Sequence, residues 1–173
     1  MNKILIGIVL MVLSVGIVTM RIIKKERFEA QVTGYLKLAA DANTIDLAAE
    51  NLEKAIAFLE ANNLTSGNTG VLWETPERDI DFWYRNLTAS LEGLKNLESD
   101  NPLEITNVLI KLRETLVDTG DNGNKVTVPK GIEVYPRNQA WMLYMLLAMV
   151  LFTVGLAMSV GEAEKNRKLA AGE

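Results

Sequence analysis

The chain is 173 residues long, 49% hydrophobic and 23% charged, with a net charge of −4 and neither Cys nor His. Without those two residue types there are no thiol nucleophiles, disulfides, Cys/His zinc sites, Ser-His-Asp triads or histidine pH switches. The charge is uneven: residues 26–136 carry 19 acids against 10 bases, a net −9, a poor surface for nucleic acid because phosphate binding relies on clustered Lys and Arg.

A mean hydropathy of +0.11 at this charge content means that apolar residues are gathered in blocks. The first is ILIGIVLMVLSVGIVTM at 4–20, without a charge. A hydrocarbon core of about 30 Å takes roughly 20 helical residues, a length this block reaches if Ile22 and Ile23 are included and Arg21 snorkels. A cleaved signal peptide is the competing reading. The TMRIIKKERF that follows has no small-residue cleavage site and a run of cations, which favours a retained span over residues 1–24. Arg21, Lys24 and Lys25 then serve as membrane-interface anchors. Gly7, Ser14 and Gly16 offer points where another helix can approach closely.

A helical domain is expected over residues 25–124, with helices near 25–42, 44–62, 76–98 and 102–118. The first continues from the span without a break, because no Pro precedes Asp41, and Phe28, Val32, Tyr35, Ala39 and Ala42 form its stripe at α-helical spacing. Asn43 or Thr44 caps the second helix, whose apolar face is Ile45, Ala48, Ala49, Leu52, Ala55, Ile56 and Leu59. The loop LTSGNTGVLWE at 64–74 is rich in Gly, Ser, Thr and Asn. In the third helix Thr75 is the expected N-cap, with Pro76 at the first position and Glu77 and Asp79 at the positive end of the dipole. Ile80, Trp83, Tyr84, Leu87, Leu91 and Leu94 share one face, while Phe82 points about 160° away from Ile80. Phe82 is expected to pack beneath the loop, against Trp73, with a binding surface as the other reading.

SDNP at 99–102 caps the fourth helix, whose main face is Ile105, Val108, Leu109, Leu112 and Leu116. A second stripe, Leu103, Ile110 and Val117, repeats every seven residues and fits either burial or association. The turn-rich TGDNGN at 119–124 follows. With Asp118 it has the composition of a calcium loop without the required order or the Glu at position 12. Residues 125–137 alternate like a short β-hairpin about Pro129-Lys130-Gly131.

The second block lies at 139–161, within a span expected over 138–161. Trp141 and Tyr144 open it, as rings that favour the headgroup level. Gly155 and Ser159 have small-xxx-small spacing, as do Ala157 and Gly161. A short polar tail, 162–173, ends the chain. The NLT sequons at 63–65 and 86–88 are no more than chance gives with 14 Asn.

The expected fold is all-α: two transmembrane helices flanking a three- or four-helix antiparallel bundle, with a short hairpin-like segment before the second span. The location is an integral membrane position, taken to be a bacterial cell membrane. Positive charges flanking the two spans conflict over orientation, and giving weight to the first favours a cytoplasmic central domain. Neither span holds a charge inside the hydrocarbon, which argues against a proton or ion pathway. Carboxylates near the aromatics read as surface pairs such as Asp81 with Arg85, so no enzyme, cofactor or metal site is expected.

The function that fits is a non-catalytic membrane scaffold or accessory subunit, with the lipid bilayer and a protein partner or second copy as its contacts. The candidate interaction surface is Leu103, Ile110, Val117, Phe82 and Trp73. Packing between spans falls to Gly7, Ser14, Gly155 and Ser159. The alternative is an extracytoplasmic helical-bundle sensory module signalling through a partner. It is similar in layout, not in motif, to the input regions of bacterial chemoreceptors and sensor kinases, but the 13 residues GEAEKNRKLAAGE at 161–173 hold no output domain. That reading allows a small-molecule ligand, which no residue pattern supports.

Overall fold

The computed structural model describes residues 3–99, 101–120 and 123–172. The chain is mostly helical, with one small antiparallel sheet of two strands. It forms two compact units, Met1–Lys24 with Arg137–Glu173, and Lys25–Pro136.

The first unit holds helix α1 (Lys3–Phe28) up to Lys24, and helix α6 (Asn138–Ala171). Two helices are long and apolar enough to cross a membrane, and their outer faces are apolar: Leu5, Val12, Leu147 and Val150 are all exposed. The expected polar tail is not a separate segment. Glu162, Glu164, Lys165 and Lys168 are good helix formers, so α6 runs on to Ala171, where Gly172 at φ 76° ends it.

In the second unit the first helix carries through a π turn, Glu29–Thr33, into α2 (Gly34–Ala40). The Gly34 N–H donates to Glu29 O, five residues back. All five residues of the expected stripe lie in or against the core, and the turn adds Leu36 and Ala40 to them. Past it, Leu36 is fully buried while Tyr35 is only half-buried, and Ala40 joins Ala39 in the core. At 100° per residue, steps of four drift by about 40° each, so Phe28, Val32, Leu36 and Ala40 would spiral off one face of a regular α-helix. The π turn takes up one residue and keeps them together.

Helix α3 (Ile45–Ala61) begins at Thr44, whose Oγ1 accepts from the Leu47 N–H at 3.3 Å. It buries Ala48, Leu52, Ala55, Ile56 and Leu59, and packs against α2 on one side and α4 (Ile80–Lys95) on the other. The small Ala48 and Ala55 allow the close approach. The start of α4 differs from expectation. Pro76–Arg78 is a separate 3₁₀ turn, and the cap is Asp79, whose Oδ1 accepts from the Phe82 N–H at 3.1 Å. Asp79 stays extended because its segment is drawn to the preceding loop. Asn68 and Asp79 form a β-bridge, the Thr69 N–H donates to Arg78 O, and the Ile80 N–H to Gly67 O.

Helix α5 (Pro102–Leu116) packs against α2, α3 and α4, burying Leu112 and Leu116. Its N-cap is Asn101, whose Oδ1 accepts from the Leu103 N–H; Asp100 lies outside the described residues. The hairpin sits one segment earlier than expected. Strands β1 (Val117–Gly120) and β2 (Gly123–Val126) pair from Val117↔Val126 to Gly120↔Gly123, leaving a two-residue connection at 121–122 that lies outside the described residues. Gly123, the first residue of β2, has φ 91°, a left-handed conformation that glycine adopts at little cost. Around Pro129-Lys130-Gly131 there is no second strand. Gly131 at φ 88° leads into a 3₁₀ turn, Ile132–Val134, since Pro129 has no N–H to give a ladder.

Candidate interaction surface

Of the three adjacent aromatics at 82–84, two are tied into the fold. Trp83 is buried, and its indole N–H donates to Thr127 O at 2.9 Å. Tyr84 is half-buried, and its hydroxyl donates to Glu60 Oε1 at 2.6 Å. That bond, with burial, pushes the Tyr84 phenol up to about 12. Phe82 is 59% exposed and Trp73 is 73% exposed, so neither covers the other and the expected satellite cluster is absent. The 64–75 loop is held by polar groups instead. The Asn68 side chain donates to Thr75 O and accepts from the Gly70 N–H, Thr69 is fully buried, and a Cβ at Gly67 would run into the Tyr135 ring. Asn68 and Thr69 are the signal that composition alone hid, because turn-formers do not announce which side chain is structural.

The second-stripe residues also separate. Leu103 (74% exposed) and Ile110 (50%) lie on the outer side of α5. Val117 is in strand β1 with extended backbone, and is buried in the core. The seven-residue repeat therefore breaks at the end of α5, where the chain stops turning and Val117 enters the sheet.

Two open concavities adjoin here. One, of roughly 710 Å³, is lined by Ile110, Arg113, Glu114, Thr115, Val117, Asp118 and Thr127. The other, of roughly 170 Å³ and mainly apolar, is lined by Pro76, Glu77, Asp79, Phe82, Trp83, Asn86, Leu87, Thr115, Thr127, Val128 and Pro129. They share Thr115 and Thr127, so Ile110, Val117 and Phe82 border one continuous surface. Leu103 and Trp73 line neither. Trp73 instead forms an apolar loop tip with the exposed Leu72.

Within the first unit, Gly7, Ser14, Gly155 and Ser159 come together between α1 and α6. An added Cβ at Gly7 would overlap Ser159 Oγ and sit 2.5 Å from Gly155 O, and one at Gly155 would sit 2.6 Å from Gly7 O. The Ser14 hydroxyl, buried, donates to Ala148 O at 2.8 Å. Gly16 and Gly161 have open space at the same test. Of the residues expected as anchors, Lys24 is exposed, Lys25 pairs with Glu29 at 3.3 Å, and Arg21 is half-buried. Trp141 and Tyr144 meet edge to face at 5.7 Å.

Elsewhere the polar surface is occupied by ordinary pairs. Glu50 is held below, and Lys54 above, its usual range by the hydrogen bond between them. Asp81 pairs with Arg85 at 2.8 Å, and Glu53 with Lys95. Among the described residues, no three acids come together to hold a metal ion; Asp121 and Asn122 of the calcium-like turn lie outside them. No protein-family model, curated protein or solved structure matches the chain.

Proposed function

We propose that the chain is an integral membrane scaffold or accessory subunit without catalytic activity. Helices α1 and α6 anchor it, and the intervening helices act as a bundle that docks a protein partner or a second copy. The observation that carries this reading is the exposure of Phe82 and Ile110 on the one continuous surface that the two concavities share. Exposed large apolar side chains grouped on one surface mark association sites. The outward apolar faces of α1 and α6 support the membrane assignment, because such area is costly to leave in water.

The test is a photo-crosslinking amino acid placed at Ile110 in the full chain in cells, with Lys37 as the control position. Crosslinks to a defined protein, or to another copy, from position 110 and not from 37 are expected. A strictly monomeric chain without crosslinks from either position would overturn the proposal.

A further inference from the structure

We propose that the small concavity beside Phe82 receives a single apolar side chain from a partner segment bearing Lys or Arg. This rests on the docking reading above and names the chemistry of what docks.

The size sets the first constraint. At roughly 170 Å³ the concavity is smaller than the ~300–1,000 Å³ of small-molecule sites. It matches an apolar cavity of about 150 Å³, which accepts a benzene ring. One leucine or aromatic side chain fills it. Its floor is already built: Trp83 is held by its bond to Thr127 O, and Leu87 and Pro129 are buried. A preformed floor spares the ordering cost that a mobile one would incur.

The charge sets the second. The two charged residues lining the concavity, Glu77 and Asp79, are both acids. Glu74 adds a third acid to this segment against the single cation Arg78, whereas Asp81 is paired with Arg85. With a net −9 over residues 26–136, the same domain of a second copy would bring the same sign of charge to this surface. A cationic segment is drawn to it and repelled less by the rest of the domain. That excludes this domain of a second copy, and the chain's remaining cations flank its two apolar helices, so the occupant is a segment of a different protein, with an apolar residue flanked by cations.

The chain has three Trp, so ¹⁵N-labelled indole groups of the full-length protein in a non-ionic detergent give three reporters, one of them at the floor of the concavity. The probes are the capped peptides Lys-Lys-Leu-Phe-Lys-Lys, Glu-Glu-Leu-Phe-Glu-Glu and Lys-Lys-Ser-Ser-Lys-Lys. The first should shift the Trp83 resonance saturably and leave Trp141 still, and the other two should not. Glu77→Gln should weaken that binding about threefold, the scale of one exposed ion pair. Phe82→Ser, at an exposed position, should weaken it by about tenfold or more, the scale of a lost apolar wall. The inference is overturned if Trp83 does not move, if the anionic or polar peptide moves it equally, or if it moves with protein concentration alone, which would make a second copy the occupant. Crosslinks from Ile110 that persist while Trp83 stays unmoved would sink this inference and leave the docking function standing.

Discussion

Gly7 and Gly155 face each other's backbone, so the atoms an added Cβ meets, Gly155 O and Gly7 O, cannot swing aside as a side chain would. Alanine at either position must push α1 and α6 apart, at a cost of about 1–3 kcal/mol. Gly16→Ala meets nothing and should be neutral or stabilising by up to about 1 kcal/mol through helix propensity. Unfolding of the detergent-solubilised chain distinguishes the three variants, and equal behaviour would refute the packing seam. Tyr84 gives a second prediction at this scale. Its phenol, raised from 10.0 to about 12, favours the neutral, hydrogen-bonded form in the folded state. Its stabilising contribution is therefore complete below pH 10 and fades as pH rises from 10 to 12. Tyr84→Phe should lower stability by roughly 0.5–1 kcal/mol at neutral pH, for one hydrogen bond near the surface. The difference from the parent should shrink across that alkaline window, as denaturant melts at several pH values would show.

The elements were legible in the sequence wherever one period governed them. Helix α3 shows its buried face from helical spacing and its cap to within one residue, Asn43 or Thr44, and both long apolar helices follow from block length. The π turn was not legible, because Phe28, Val32, Tyr35 and Ala39 satisfy α-helical spacing as well as Phe28, Val32, Leu36 and Ala40 satisfy the interrupted one. Val117 is a similar case: an apolar residue seven positions after Ile110 fits a helix, yet it is equally at home as the first residue of a strand. The π turn makes a prediction of its own. Since it amounts to one extra residue in an α-helix, removing Gln31, which is exposed, should convert it to regular α-helix and leave Phe28 and Leu36 on the same face. That deletion should cost less than about 1 kcal/mol, whereas deleting Ala57 from α3 rotates Leu59 away from the core and should cost about 3 kcal/mol or more. Comparable losses for both deletions, read from thermal unfolding, would mean that the turn does not set the register.

At the scale of the molecule, the core cluster of the second unit draws only on residues between Phe28 and Tyr135. The candidate surface on that unit was half legible: Phe82, Ile110 and Leu103 are apolar at positions that the helical period turns outward. The concavity was hidden, since Pro76, Thr115 and Pro129 meet in it from three separate segments, and no local pattern registers such a meeting. A unit that closes its own core should fold without the apolar helices. About 110 residues is an ordinary domain size, and its acidic balance keeps copies apart in solution. Residues 25–136 expressed alone should therefore be soluble without detergent, helical by circular dichroism, and cooperative in thermal unfolding. The exposed large apolar residues of the fragment, Leu38, Leu47, Leu72, Trp73, Phe82, Leu103 and Ile110, are few enough to be tolerated in water, and Ile110→Lys should raise the solubility of the fragment further while leaving its melting temperature unchanged. A fragment that aggregates, or unfolds without cooperativity, would show that the core depends on the apolar helices, and the chain would have to be treated as one folding unit held together within the bilayer.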